Sequence, residues 1–223
     1  MEKLQLQITE VDIKKALANT MSDLGNQVLY DLCSVHSYHK MDQEILAKIW
    51  LIGRAYAAAI ERRKKVIEEP DGDAFIENKV VPEMRNSEID HWLEQSKNNP
   101  TAETAIEVHF KLTDLFKKIS GHDKRSLASK YLHFHQPDMF FIYDSRASQT
   151  LGKVTPKKKE WLDLSPDQFD QEYINFYRRC LWLQEYLKSK IGRKLSPREI
   201  DKVLLYIHQV LNKKQVLSPT SDV

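Results

Sequence analysis

Residues 41–60 read MDQEILAKIWLIGRAYAAAI, a long stretch whose apolar residues recur every three or four positions. Asp42 is suited to open a helix there, and Arg54 falls near the edge of the apolar stripe. The apolar positions are Ile45, Leu46, Ile49, Trp50, Ile52, Tyr56, Ala59 and Ile60. We therefore predict a central core helix from about Met41 to Glu68.

The composition of the whole chain favours helices over sheets. Its 223 residues are 41% hydrophobic and include only 6 Gly and 8 Pro, which is enough apolar material for a sizeable core with few turns. We predict an all-α fold, with one compact helical domain over residues 1–213 and a frayed tail over residues 214–223. The pattern leaves open whether this unit forms two helical lobes with a cleft between them, near Gly121 to Asp144.

Local start and stop signals place the other helices. The last two predicted helices each combine a Ser cap, Pro at the first helical position and Gln or Glu three residues after the cap. The predicted segments are a helix capped by Thr9, one capped by Asp73 after the turn at Pro70, Ser87 to Gln95, Thr101 to Ile119 with a stop at Ser120-Gly121, Asp123 to about Phe134, a helix opened by Asp144-Ser145, Pro166 to Lys190, and Pro197 to Lys213.

Several classes of site lack their characteristic residues. Cys33 and Cys180 are isolated, which argues against a disulfide framework, a zinc site or an iron–sulfur cluster and suits a reducing compartment. The pairs His133/His135 and His36/His39 have no further ligands at metal spacing, and no phosphate loop, dinucleotide fingerprint or nucleophile elbow occurs. We expect no metal and no cofactor. Without a signal peptide or an apolar span, we predict a cytoplasmic protein without membrane contact.

Positive charge is clustered, although the formal net charge is only +2. Residues 111–130 contain six Lys or Arg and two Asp, and further basic runs lie at 62–65 and 157–159. Such clusters suit contact with a phosphate backbone. The plain alternative for each run is a solvated helix face.

The segment 124–147, KRSLASKYLHFHQPDMFFIYDSRA, is where we expect the chemistry. Lys130 lies beside small residues in an otherwise apolar helix, and loss of hydration there would lower its pKa towards the range of a nucleophile. Asp144 follows an apolar run and opens a helix, whose free backbone N–H groups would keep it ionised. The structural alternative is that Lys130 extends its amine to the surface and that Asp144 is a plain N-cap.

This arrangement of a lysine, an apolar helix and an aspartate at the head of the next helix resembles the helix-hairpin-helix DNA glycosylase superfamily. The resemblance covers about a quarter of the chain, counting Ser196 to Val210. It implies that Asp144 assists departure of the base from C1′ and that Lys130 attacks C1′, giving a Schiff base and strand cleavage. The family's Gly-x-Gly before the lysine is replaced by residues 127–129, Leu-Ala-Ser.

The resemblance also implies where DNA would bind. The expected partner is double-stranded DNA with a modified base flipped out of the helix, and the oligomeric state is left open. The expected DNA contacts are Lys124, Arg125, Ser129, Ser145 and Arg146. The expected base pocket comprises Trp50, Arg54, Tyr56 and His135, with Trp92 as a further candidate, although each of these side chains also suits a core position.

The function that follows is base excision leaving an abasic site, either in repair or in bacterial defence against phage. In the second case the substrate would be a hypermodified base such as glucosylated hydroxymethylcytosine. Two alternatives belong to other classes. One is a non-catalytic helical DNA-binding module, and the other is a protein-interaction domain with no salt-dependent affinity for DNA.

Overall fold

The computed structural model describes residues 8–62, 64–65, 71–156 and 169–216. In this part of the chain the fold is all-helical, as predicted, and contains no strand. The elements are α1 (Glu10–Ala16), α2 (Met21–Val35), α3 (Asp42–Ala55), α4 (Gly72–Phe75), a π-helical segment (Ile76–Val80), α5 (Val81–Arg85), α6 (Ile89–Asn98), α7 (Ala102–Ser120), α8 (Arg125–His135), α9 (Ser145–Val154), α10 (Gln171–Ile191) and α11 (Pro197–Val216).

Two groups of helices build the compact domain. Helix α8 packs against α2, α3 and α7, and α11 packs against α1, α9 and α10. The groups share one core, because α10 also packs against α7 and the buried apolar side chains form a continuous cluster. Burial of this surface from water is the main force that holds the helices together. None of the described helices is both long and apolar enough to cross a lipid bilayer.

Several helix boundaries follow the local signals. Thr9 and Asp12 form a capping box on α1, and Ser196 and Glu199 form one on α11 through reciprocal hydrogen bonds of 3.2 and 2.9 Å. Thr101 caps α7, which ends at Gly121 with a φ of +77°. Glycine suits this left-handed position because it has no Cβ that would clash with the preceding turn of the helix. These predictions are confirmed.

The prediction that α3 runs to Glu68 is wrong, since the helix ends at Ala55. Ala57 adopts a left-handed φ of +51°, and the N–H of Ala58 donates to the carbonyl of Gly53 at 2.8 Å. This bond closes a Schellman turn with alanine in the position usually held by glycine. The chain then returns so close that a Cβ on Gly53 would lie 3.0 Å from the Cα of Ala59.

Other predicted boundaries also need correction. Asp71, not Asp73, caps α4 through its carboxylate. Helix α8 begins after Lys124, while Asp123 instead forms an ion pair with Lys117 at 3.1 Å.

Three further boundaries concern α6, α10 and α11. Helix α6 spans Ile89–Asn98, so it begins later and ends later than the predicted Ser87 to Gln95. The predicted start at Ser165 to Gln168 lies outside the described residues, and α10 begins at Gln171 under an Asp170 cap. Helix α11 continues through Val216, three residues into the predicted tail, and residues 217–223 lie outside the description.

Both cysteines are buried free thiols. Cys33 lies on the inner side of α2 and Cys180 on the inner side of α10. Burial raises the pKa of Cys33 to about 12 and that of Cys180 well above its usual value. Thiols in such surroundings stay protonated and react slowly.

Candidate active site

A cavity of about 700 Å³ lies between the two groups of helices. Its walls come from α2, the end of α3, α8, residues 142–146 and α11. This volume is in the range of pockets that hold a small molecule or a single nucleoside. The polar and charged residues in its lining are Ser22, Asn26, Tyr56, Lys130, Asp144, Arg146, Arg198 and Asp201.

Lys130 is buried in the cavity wall, with a residue exposure of only 1%. Its Nζ donates hydrogen bonds to Ser126 Oγ at 2.5 Å and to the carbonyl oxygen of Tyr143 at 3.0 Å. Burial lowers the pKa of Lys130 to about 8, although the charges of Asp144 and Asp201 act in the opposite direction. A lysine in this state exchanges between ammonium and nucleophilic amine near neutral pH.

Side chains of α8 hydrogen-bond to the extended segment 140–143, which directly precedes Asp144. These bonds fix the position of Lys130 relative to that segment. The backbone N–H of Tyr143 donates to Ser129 Oγ at 2.9 Å, and Ser129 Oγ donates to the carbonyl of Ser126 at 3.0 Å. At the other end of the segment, His133 Nδ1 lies 2.8 Å from the carbonyl oxygen of Phe140. Tyr177 on α10 also donates to the carbonyl of Met139 at 2.8 Å, so side chains of α8 and α10, and not a sheet, satisfy backbone groups in and beside this segment.

Asp144 stands at the cavity rim as the N-cap of α9, as predicted. Its carboxylate accepts from the backbone N–H of Arg146 at 2.9 Å and from Arg146 Nε at 3.2 Å. Burial alone would raise the pKa of Asp144, but these hydrogen bonds and the charge of Lys130 outweigh it and lower the pKa. The carboxylate is therefore ionised at neutral pH, opposite an amine with a lowered pKa.

Asp201 and Arg198 complete the charged lining, and the sequence analysis did not single them out. Asp201 is 3% exposed, and its Oδ2 accepts from Arg198 Nη1 at 2.6 Å. Burial raises the pKa of Asp201 to about 6, although Arg198 and Lys130 act against this rise. The available signal was the position of Asp201 among the inward apolar residues of α11, which are Ile200, Val203, Leu204 and Ile207.

Tyr56, after the end of α3, and Asn26, on α2, add two further polar residues to the lining. The Tyr56 hydroxyl donates to Asn26 Oδ1 at 2.8 Å, and Lys130 Nζ lies 5.8 Å from the centre of the Tyr56 ring. Tyr56 was predicted as a pocket residue and lies in the same cavity as Lys130 and Asp144. Asn26 was not predicted, because an asparagine on a helix gives no sign of its direction.

The other predicted pocket residues lie elsewhere. Arg54 stacks on Trp50, with the guanidinium 4.4 Å from the ring centre, and forms an ion pair with Asp73 at 2.6 Å. Trp50 faces a separate depression of about 420 Å³ beside α4. His135 lines another cavity, of about 370 Å³, and Trp92 is partly buried against the core.

The predicted DNA contacts divide into exposed and engaged side chains. Ser145 and Arg146 are exposed at the first turn of α9, beside the cavity. Lys124 Nζ donates to the carbonyl of Arg62 at 2.5 Å, and Arg125 is ion-paired with Asp170 and Glu172. Ser129 is fully buried, which suits its role in positioning Tyr143 and leaves it no surface for a phosphate.

A second buried lysine offers a comparison with Lys130. Lys48 Nζ donates to the carbonyl oxygens of His36 and Tyr38, each at 2.8 Å, and burial lowers its pKa to about 8. Lys48 fixes the backbone that follows α2 through these two hydrogen bonds. It is not part of the lining of the 700 Å³ cavity. The two lysines share burial and a lowered pKa, but they differ in access to a ligand.

Within the described ranges, no group of three or more His, Cys, Asp and Glu side chains could hold a metal ion. Comparison with protein-family models, with curated proteins and with solved structures gives no significant match in any of the three.

Proposed function

We propose that this protein is a DNA glycosylase that removes a flipped base and leaves an abasic site. The observation that carries the proposal is the position of Lys130, with its lowered pKa, in the wall of a nucleoside-sized cavity that also contains Asp144. The resemblance of residues 124–147 to the helix-hairpin-helix glycosylases supports the choice of DNA as substrate. The exposed Ser145 and Arg146 at the rim add a helix N-terminus and a cation suited to a phosphate.

The reaction assigns separate tasks to the two residues. The C1′–N bond breaks, its electron pair leaves with the base, and the base takes up a proton from solvent. The ionised Asp144 stabilises the positive charge that develops on the sugar. With a pKa of about 8, about one Lys130 in ten is a neutral amine at pH 7, and this form bonds to C1′.

Imine formation then follows from the same amine. Lys130 releases a proton to solvent, the C1′–O4′ bond breaks with its electron pair on O4′, which takes up a proton, and a protonated imine joins Nζ to C1′. Water hydrolyses this imine to an abasic site and restores the lysine. Alternatively, loss of a C2′ proton expels the 3′-phosphate and cleaves the strand.

A DNA-binding module without catalysis is the alternative. In that alternative Lys130 would contact a phosphate. The burial of Lys130 and its hydrogen bonds of 2.5 and 3.0 Å to Ser126 and Tyr143 do not favour such a contact. Burying a charge is costly. A protein that bound DNA only through electrostatic attraction would therefore gain nothing from burying Lys130 near Asp144 and Asp201.

The test uses duplexes that each contain one candidate base, together with phage DNA bearing hypermodified cytosine. We expect alkali-labile sites with at least one substrate and a borohydride-trapped covalent adduct. Asp144→Asn should lower the rate at which both products form by about 100-fold or more. Lys130→Met should abolish the adduct, whereas Lys48→Met should retain it in the fraction of protein that folds. Absence of abasic sites and adducts on every substrate, with salt-dependent binding intact, would favour the non-catalytic module.

A further inference from the structure

Three residues of the 700 Å³ cavity each have one buried polar side-chain atom without a hydrogen-bond partner in the described part of the chain. The atoms are Asn26 Nδ2, Arg198 Nε and Asp201 Oδ1. A buried donor or acceptor without a partner destabilises the fold, because it has lost its hydrogen bonds to water. Three such atoms in the lining of one cavity therefore need an explanation, and unsatisfied groups of this kind are found at functional sites.

The remaining polar atoms of these residues are engaged, which fixes what each free atom offers. Tyr56 donates to Asn26 Oδ1, so the amide is oriented with its N–H₂ group unpaired. Arg198 Nη1 donates to Asp201 Oδ2 at 2.6 Å, and Arg198 Nη2 lies 3.7 Å from the carboxylate of Asp23 on α2. The set thus offers two donor atoms, Asn26 Nδ2 with two N–H groups and Arg198 Nε with one, and one acceptor atom, Asp201 Oδ1.

We propose that Asn26, Arg198 and Asp201 bind the Watson–Crick edge of a flipped pyrimidine base. This inference rests on the proposed glycosylase function and names the class of base. A ligand that satisfies two donors and one acceptor must present two acceptors and one donor. Thymine and uracil do so with O2, O4 and a central N3–H, and cytosine does so with O2, N3 and a terminal amino group, so the order of the three side chains along the edge selects one of these two types. Guanine presents one acceptor and two donors, and adenine lacks the second acceptor on this edge.

The residues proposed to bind the base and those proposed to react at C1′ lie on different helices. Asp201 and Arg198 lie on α11, whereas Lys130 and Asp144 lie on α8 and at the start of α9. A nucleoside in this cavity can place its base edge towards α11 and Asn26 while its C1′ faces Lys130. With a pKa of about 6, Asp201 is mostly ionised at neutral pH, so its Oδ1 acts only as an acceptor there. The scheme agrees with the general rule that flipped bases are recognised by hydrogen bonds to their pairing edge.

The test is a gel-shift titration with Lys130→Met protein, which retains the three recognition residues and cannot form the imine. The probes are duplexes of one sequence that carry thymine, uracil, cytosine, adenine or guanine opposite an abasic-site analogue, so that no pairing partner opposes flipping. A sixth probe carries N3-methylthymine, which lacks the donor for Asp201. We expect either the thymine and uracil probes or the cytosine probe to bind at least about 10-fold more tightly than the guanine probe, the discrimination typical of good base-edge contacts, and we expect N3-methylthymine to lose any preference that thymine shows.

Variants made in the Lys130→Met protein assign the effect to residues. Asn26→Leu and Asp201→Asn should each lose the pyrimidine preference, whereas Ser22→Ala, from the same cavity wall, should keep it. Circular dichroism confirms folding, and Asn26→Leu carries the test if Asp201→Asn does not fold. Equal affinity for all six probes, or a preference that survives Asn26→Leu, would overturn the inference and leave the glycosylase proposal intact. Absence of binding to every probe, with no abasic sites from the wild-type protein, would overturn both.

Discussion

Nζ of Lys130 donates a hydrogen bond to the carbonyl oxygen of Tyr143 at 3.0 Å. Tyr143 directly precedes Asp144, so this bond links the buried amine of α8 to the backbone that presents the carboxylate. Ser129 adds a second link to the same residue through the N–H of Tyr143. The relative position of amine and carboxylate therefore depends on side chains of one helix.

The rate of adduct formation should depend on pH through Lys130. Only the neutral amine attacks C1′, and burial lowers the pKa of Lys130 to about 8 from its usual 10.5. The single-turnover rate should therefore rise about tenfold per unit between pH 6.5 and 7.5 and level off above about pH 8. Borohydride trapping at saturating protein measures it. A rate that continues to rise to pH 10 would show that the lysine is not desolvated in the complex.

The charge of Asp144 and its capping role should separate in two variants. Asparagine caps a helix as well as aspartate does, so Asp144→Asn should change the free energy of unfolding by less than about 0.5 kcal/mol. Its base-release rate should nevertheless fall about 100-fold or more, because the stabilising charge is lost. Asp144→Ala should show the same loss of rate and cost about a further 1 kcal/mol in stability. Denaturation in urea and alkali-labile site counts provide the two readouts. Full activity in Asp144→Asn would contradict the electrostatic role.

Asp201 should make stability depend on pH. Its pKa is about 6 in the folded protein and 3.8 in its usual state, so folding favours the protonated form. This stabilisation is fully present below about pH 3.8 and is lost as the pH rises through 6.

Between pH 8 and pH 4.5 the wild type should therefore gain about 2 kcal/mol relative to Asp201→Asn, equal to about 4–8 °C in Tm. Thermal melts of both proteins at each pH measure the difference. Four other charged residues also act on Asp201: Arg198, Lys130, Asp144 and Arg146. They are present in both proteins, so to first order their effects cancel from the difference in Tm. A constant difference across this pH range would mean that Asp201 does not titrate there.

Two glycines at helix ends provide a matched test of packing. Gly121 and Gly192 have nearly equal φ values, +77° and +75°, but only at Gly121 would a Cβ meet a neighbour, Lys65 Cβ at 2.9 Å. Gly192→Ala should cost about 1 kcal/mol from backbone strain alone, and Gly121→Ala at least about 1 kcal/mol more. Denaturant titration ranks the two variants. Equal losses would show that the segment with Lys65 moves aside without cost.

The parts of the fold that the sequence predicts are those fixed by neighbouring residues. Thr9, Thr101 and Ser196 cap their helices through bonds three residues away, and Gly121 ends α7 through its own backbone freedom. The end of α3 escaped prediction because Ala57, which has a side chain, takes the left-handed conformation there. Contacts between α3 and later residues, such as the approach of Ala59 to Gly53, have no local sequence signal.

The candidate site also contains some residues that the local sequence predicts and others that it does not. Lys130 and Asp144 are only 14 positions apart, and the residues between them are enough to suggest that they meet. Asp201 and Asn26 reach the cavity from distant parts of the chain, and ion pairs from Arg198 and Lys202 on α11 to Asp23 on α2 link the two helices. Trp50 has the correct chemistry for a base pocket but faces a different cavity, since successive residues of a helix point about 100° apart and Trp50 lies outside the face that lines the larger cavity.

The burial of both native thiols makes the protein easy to label at a chosen position. Val28 on α2 lines the cavity and is 62% exposed, so a cysteine introduced there would lie at the mouth. Cys33 and Cys180 are the other two cysteines of the chain, and both are shielded and held protonated. A maleimide dye would therefore attach at position 28 alone, and its emission would report the filling of the cavity in real time.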